Sequence, residues 1–412
     1  MSEDIGLGSE SPSFMQFGAR HFDKGVHMLQ LLANTCIIET GEGVVLFDVG
    51  LEPDGPRIVE EVRAITDGPV RYIVYGHGHA DHAFGTQAIL DDAEARGHPR
   101  PVILAHEDVP KRFDRYRRML PYHDHINRIQ FGVPEDVPVF PRTYVYPDET
   151  YHGSTSFSLG GISFELRHAR GETDDATWMW VPELGTVCVS DLWVWSCPNV
   201  GNPFKVQRYA LEWAEALEAI AALSPALLLP GHGFAIAGAQ EVEEACLTVA
   251  RAMRFLDDQV VAMLNEGKWQ EEILDSFEWP TEFAESRYLA PIYGHPYFVV
   301  QGTLRLYHGW FDGNASHLFP SPGDRIAEEV LGLAAGADKV IDRARALAGE
   351  GETQLALHLV DFVLDGSAEP REEALKLKAD LLNRLADGET SFIARNIFLG
   401  EVRQVNRLLG ER

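Results

Sequence analysis

Two kinds of hydrophobic pattern run along the chain, and they change over near residue 240. In the first part, apolar residues come in short β-branched runs. NTCIIETGEGVVLFDVG at 34–50 reads as two strands around the turn TGEG, and RYIVYG at 71–76 reads as a buried strand running into a polar loop. Between them, IVEEVRAI has its apolar residues at helical spacing. Strand, helix, strand and then a histidine-rich loop predicts an α/β domain with its chemistry at strand ends. Further strand-like runs at VPVFP, TSFSL, ISFELRH, TWMWVPE and GTVCVSD predict antiparallel or mixed sheet. A helix is predicted over 207–223, and ALLLP followed by GHG predicts a short buried strand that ends in a loop. Beyond residue 240 the period lengthens. EVEEACLTVARAMRFLDDQVVAML has apolar residues three and four apart throughout, and segments from 326 to 412 repeat that spacing between glycine turns, which predicts a mostly helical second part.

The 412 residues suffice for one large globular domain and a smaller one. With 35 basic against 63 acidic residues the formal charge is -28, which repels a polyanion and argues against nucleic-acid binding. No apolar run reaches the length of a membrane span, and residues 1–15 lack the basic start and apolar core of a secretory signal. A flexible tail over 1–15, no membrane partner and a cytoplasmic location are the expectations. Cys36, Cys188, Cys197 and Cys246 are far apart in a long chain, so they are expected to be reduced thiols rather than a disulfide framework.

The sharpest chemical signal is YGHGHADHAFG, with His77, His79, Asp81 and His82 inside six residues at the end of a predicted strand. These are metal-ligand types, and a turning chain brings them together without long-range folding. Completing two metal shells needs distant donors. Glu172 in RHARGETDD, Asp191 in VCVSDLW and His232 in LLLPGHG all stand at strand-to-loop boundaries. We assign His77, His79 and Glu172 to one metal, Asp81, His82 and His232 to the other, and Asp191 as the bridge. His168 reads as a neighbour of the ligands or of the core, and the HDH pattern of His123 and His125 as no metal site.

HGHADH, GETD, VSD and PGHG, in this order, resemble the metallo-β-lactamase superfamily. Glu172 in GET, together with DDQVVAMLNEG, IYGHPY, LYHGWFDGNASHLFP, LAAGADKVIDRARAL, QLALHLVDFVL and FIARN, resembles its alkylsulfatase branch. The resemblance covers about residues 20–412. It implies an αββα sandwich over 16–240 followed by an all-α dimerisation domain over 241–412, and hence a homodimer. A sterol-carrier-like domain that the family commonly adds after the helices is not expected here.

The implied activity is hydrolysis of an organic sulfate ester, a small-molecule substrate, by two zinc ions per chain and a bridging hydroxide, with Asp81 and Asp191 as candidate catalytic residues. Two zincs, three carboxylates and a hydroxide sum to zero charge, so nearby cations and donors should help to hold a sulfate. Arg208 in KVQRYALEW, expected to open a helix, is the leading anion contact, with Asn199, Tyr293, His295 and Asn314 as further donors. This sequence departs from the branch at Asp191 and SCPNVGNP, where alkylsulfatases carry a bridging glutamate, a His-Asn pair and an Arg-Gly pair. The alternating tryptophans 178, 180, 193 and 195 read as strand positions with one face in the core and the other free to line an apolar pocket. The basic stretch 107–130 reads either as a lid or as an amphipathic helix with ion pairs. Alternatives are hydrolysis of a carboxylic, lactone or phosphoric ester at the same centre, a diiron redox enzyme, and a non-catalytic helical interaction protein.

Overall fold

A computed structural model describes residues 17–410 except 135, 136, 138, 367 and 368. The expected N-terminal tail lies outside the described residues. Seven strands form the first sheet in sequence order: β1 (Gly18–His21), β2 (Val26–Gln30), β3 (Thr35–Thr40), β4 (Gly43–Phe47), β5 (Val70–Val74), β6 (Val102–His106) and β7 (Glu149–Tyr151). β1 to β4 are an antiparallel meander, and β4 to β7 are parallel. Six strands form the second sheet, β8 (Ser154–Leu159), β9 (Ile162–His168), β10 (Thr177–Val181), β11 (Thr186–Ser190), β12 (Leu227–Pro230) and β13 (Ile236–Ala237), in the order β13-β12-β11-β10-β9-β8.

Period-two alternation assigns the faces. In β4, Val45 and Phe47 point between the sheets, where they meet Phe164, Leu166, Met179, Val181 and Cys188. Val44 and Leu46 point the other way, into a layer completed by α1 (Gly55–Ile65), α3 (Thr86–Ala95) and α4 (Asp108–Arg118). The short helix α2 (Ala80–Ala83) carries part of the histidine motif, and α5 (Leu120–Phe131) follows α4. Val187, Val189 and Trp178 leave the far face of the second sheet and pack on α6 (Ala210–Ala222), α7 (Ala239–Asn265) and α10 (Pro296–Tyr307), with α8 (Gln270–Ser276) and α9 (Thr281–Ala284) alongside. The result is an αββα sandwich.

Five helices follow, α11 (Gly323–Leu333), α12 (Ala337–Gly349), α13 (Thr353–Gly366), α14 (Arg371–Gly388) and α15 (Phe392–Leu409). They share an apolar core that includes Ile341, Leu347, Val360, Leu381 and Leu382. The chain divides into two compact units. Among the described residues, one comprises 17–123, 140–268 and 272–308, and the other those of 124–139, 269–271 and 309–410. All four cysteines are free and buried, and no described helix is long and apolar enough to cross a membrane.

Three local expectations are corrected. VPVFP, of which Pro138 is outside the described residues, is not a strand in the rest of its length, because proline cannot donate to a ladder. Trp193 and Trp195 are not strand residues. β11 ends at Ser190, whose φ of 46° turns the chain, so the alternation that begins at Trp178 does not extend to them. Arg208 precedes α6 rather than opening it.

Candidate metal centre

The candidate ligands converge because four strands, β5, β9, β11 and β12, end at one edge of the sandwich. β5 delivers His77 and His79 on the loop that follows it, and α2 delivers Asp81 and His82. Glu172 stands between β9 and β10, Asp191 directly after β11, and His232 two residues past the end of β12. One donor atom from each of His77, His79, Glu172 and Asp191 lies within 4.8 Å of the others, and the same holds for Asp81, His82 and His232. Asp191 faces both groups. Its Oδ2 is 3.7 Å from His77 Nε2, while its Oδ1 is 3.3 Å from His82 Nε2 and 3.2 Å from His232 Nε2.

The groups behind the imidazoles decide which nitrogen faces inward. His82 Nδ1 lies 2.8 Å from the Asp48 carboxylate, and His232 Nδ1 bonds the Leu32 carbonyl. Both partners only accept, so both Nδ1 atoms carry hydrogen and both Nε2 atoms present lone pairs. The Ser190 hydroxyl donates to Asp48 at 2.7 Å, which leaves it to accept from His77 Nδ1 at 3.1 Å. His77 Nε2 therefore also presents a lone pair, 2.8 Å from His79 Nδ1. Asp48 and Ser190 hold positive φ, 60° and 46°, at strand ends. Backbone conformations disfavoured for such residues persist where the surroundings impose them, and functional sites are a common place to find them.

Lone pairs facing carboxylate oxygens repel unless a cation or proton lies between them. Among the described residues, His82 Nε2 and Asp191 Oδ1 are buried and find no hydrogen-bond partner. Burial opposes a charge on His82, but Asp191, Asp48 and Asp81 outweigh it and raise its pKa well above the ordinary imidazole range. Against the same penalty, Asp191 and Asp81 raise His232 to about 9. Burial, reinforced by His82, lowers His77, and burial with His77 lowers His79. Burial also works against ionised Asp191, yet His82 and His232 hold it well below the usual carboxylate range. Imidazole and carboxylate donors in this arrangement fit two divalent cations, whose binding replaces those protons.

Glu172 is fixed from behind. Arg208 Nη1 and Asn199 Nδ2 both donate to its Oε1, the latter at 2.9 Å, and Arg208 also donates to the Asn199 carbonyl at 2.7 Å. Burial raises the Glu172 carboxyl, with Arg208 opposing. Tyr293 is raised first by burial and then by Glu172, which keeps its phenol protonated. His295 Nδ1 accepts from the Tyr297 amide at the start of α10. Asn314 belongs to the helical unit, where its Oδ1 accepts from the Ser316 amide. His168 stacks on His106 with centroids 3.7 Å apart and bonds the Ala176 carbonyl through Nδ1 at 2.9 Å. Trp193 is buried in the core, while Trp195 Nε1 donates to the Phe234 carbonyl at 2.8 Å.

The segment 196–207 is stitched to 290–305. Cys197 N and Ser196 Oγ both donate to the Ala290 carbonyl, at 2.9 and 3.1 Å, and Gln207 Nε2 donates to the Gly302 carbonyl at 2.9 Å. A Cβ on Gly201 would collide with the Phe298 carbonyl. Sequence reading missed Asp48, Ser190 and Lys205. Asp48 ends the run VVLFD and Ser190 sits beside Asp191 in VSD, but nothing in either run announces a partner. Lys205 is lowered to about 7, mainly by burial and then by Arg208.

An αββα sandwich with a paired histidine-carboxylate centre at the strand ends defines a metallo-hydrolase. Residues 30–232 match the metallo-beta-lactamase superfamily and residues 270–407 match the alkyl sulfatase dimerisation family. The chain is 26% identical to a linear primary-alkylsulfatase of Pseudomonas sp. (strain ATCC 19151), over 88% of this chain and 72% of that one. It is 22% identical to an alkyl/aryl-sulfatase of Saccharomyces cerevisiae, over 89% of this chain and 60% of that one. The solved stereoselective inverting sec-alkylsulfatase of Pseudomonas sp. superposes with a TM-score of 0.84 at 20% identity, over 94% of this chain and 65% of that one. The chain therefore belongs to the metallo-β-lactamase superfamily, in the alkylsulfatase-like branch with a helical dimerisation domain.

Proposed function

We propose that the protein is a binuclear zinc-dependent hydrolase of an organic sulfate ester. The observation that carries this reading is Asp191, which divides its two oxygens between two groups whose imidazole lone pairs are locked inward. When bound, two zinc ions supply a water of lowered pKa and polarise the ester oxygen they contact. The side chains supply the rest. His77, His79 and Glu172 would hold one ion, Asp81, His82 and His232 the other, and Asp191 would serve both. Asp48, Ser190 and the Leu32 carbonyl keep the imidazoles in the required tautomer. Asp81 and Asp191 offer oxygens that accept a hydrogen bond from the attacking water and orient it.

Three ligand carboxylates offset most of the charge of two divalent ions, so an anionic ester needs further cations. Arg208 supplies one beside Glu172, and Lys205, lowered to about 7 by burial, becomes a second when a bound anion favours its charged form. Arg208 already serves Glu172, so its contact with the sulfate runs through the guanidinium edge turned from that bond. Asn199 holds Glu172 in the same way. Protonated Tyr293 is a donor for the leaving oxygen. His295, which caps the start of α10, is proposed only as an outer contact. The relatives named as alkylsulfatases and the match to a dimerisation family support the substrate class and a homodimer. We assign the chemistry to residues 16–240 and dimerisation to 241–412.

A second reading, hydrolysis of another small ester at the same centre, is favoured by SCPNVGNP after Asp191, which lacks the histidine and arginine expected there. The test is elemental analysis of protein purified without added metal, followed on the same sample by chromatography of sulfate released from short, branched and long alkyl sulfates. Two zincs per chain with sulfate release are expected. Two metals without sulfate release would remove the sulfate ester and leave the second reading.

A further inference from the structure

Helix α4 comes from the basic stretch, yet one of its arginines is not solvated. Arg112 is only 4% exposed. Its Nε donates to Asp175 Oδ2 at 2.7 Å and its Nη2 to Asp175 Oδ1 at 2.9 Å, a two-pronged pairing, and Nη2 also reaches Asp174. Asp175, fully buried, uses Oδ2 a second time to accept from the Gly78 amide at 3.2 Å. Gly78 is the single residue between His77 and His79, and Asp175 follows Glu172 by three. One carboxylate therefore ties the backbone between two candidate ligands to the loop that carries a third, and Arg112 fixes that carboxylate.

The approach is close. A Cβ on Gly78 would lie 2.9 Å from Arg112 Cδ and 3.1 Å from Asp175 Oδ2, so the loop touches the ion pair with no room to spare. A buried ion pair is costly unless its hydrogen-bonding capacity is used. Here the fork, the second aspartate and the amide use it. The remaining ligand histidines are steered from behind their rings, by Ser190, Asp48 and the Leu32 carbonyl. Among the described residues, no hydrogen bond steers His79 Nε2.

We propose that Arg112 and Asp175 are positioning residues that set the spacing of the His77–His79 loop against Glu172, and so control filling of the first metal position independently of the second. This rests on the two-metal reading above. Partners behind metal ligands typically affect affinity by about 10- to 100-fold. That factor should fall on the His77, His79 and Glu172 position, while Asp81, His82 and His232, backed by Asp48 and Leu32, keep theirs.

The test is zinc content of the full chain after equilibration at graded free zinc, with absorption spectra of the cobalt-substituted protein and circular dichroism to check folding. Wild type should take up two ions. At free zinc just sufficient for that, Asp175→Asn and Arg112→Gln should hold one, and about 10- to 100-fold more zinc should restore the second. Arg112→Lys, with the charge but without the fork, should fall between. Gly78→Ala pushes the same loop from the other side with both charges intact, and it should reproduce the one-ion state even if an ion-pair variant fails to fold. Variants that fill both positions at wild-type zinc, or lose both in parallel, overturn the clamp. Wild-type protein that takes up no metal overturns the reading beneath it.

Discussion

The two units of this chain bury different things. Among the described residues, the sheet-bearing unit buries Asp48, Arg112, Glu172, Asp175, Asp191 and Arg208 beside its histidines, whereas the helical unit buries no charged side chain and closes on aliphatic residues. A buried charge costs several kcal/mol unless it is paired, so a cluster of them is maintained for what it does rather than for stability. The helical core shows what this chain builds when only cohesion is needed. One unit should therefore respond to metal, the other to packing.

The strongest way to break that contrast is Asp191→Ala. It removes the carboxylate that both donor groups face, and we expect loss of both metals and at least a ~1,000-fold fall in turnover, about 4 kcal/mol. Metal analysis and initial rates check it, and two retained ions would end the bridging role. Removing metal from wild type with a chelator should destabilise the sheet-bearing unit by about 8 kcal/mol, about 4 for each of two ions normally near 1,000 times its dissociation constant. In calorimetry the helical unit should keep its melting temperature, and a joint shift of both units would contradict the division. Leu382→Ala reverses the experiment. Truncating a fully buried leucine should cost the helical unit about 2–5 kcal/mol while metal content stays at the wild-type value.

The smallest expected effect concerns charge at the edge of the helical unit. Lys378, mostly shielded, is 2.8 Å from Asp361 and also pairs with Glu401. Burial works against its charge, but the two carboxylates prevail and raise its pKa. A lysine raised on folding stabilises fully below its unfolded pKa, and that contribution fades as pH climbs past the folded one. Lys378→Met should therefore cost about 1 kcal/mol at neutral pH and nothing at strongly alkaline pH, as read by denaturant titration. A pH-independent difference would assign the effect to packing of the lysine stem.

Much of this arrangement is legible in sequence where the information is local. His77, His79, Asp81 and His82 stand out because one strand end presents them together. Glu172, Asp191 and His232 are legible through the strand-to-loop positions they occupy and the order of their motifs. Asp48, Ser190, Arg112 and Asp175 are not, because each acquires its meaning from a partner on a distant element. Arg112 is hidden among arginines that solvent explains equally well. The failures are local too. The prolines of VPVFP remove the donors that a strand needs, and the turn at Ser190 ends the alternation that the tryptophan spacing suggests.

The stitching of 196–207 to 290–305 has a consequence for how such a chain could be rearranged. Gly201 lies against the Phe298 carbonyl, and α10, which supplies that carbonyl, falls within the stretch matched to the dimerisation family. The inherited module and the physical one thus have different borders. A recombinant that joined the first 240 residues to a relative's helices would swap the underside of the Asn199 loop for a surface shaped to another backbone. Exchange between relatives should be tolerated when residues 309 onward travel with 124–139 and 269–271, which share their compact unit, and a crossover between 207 and 290 should require that both sides of the 196–207 and 290–305 seam travel together.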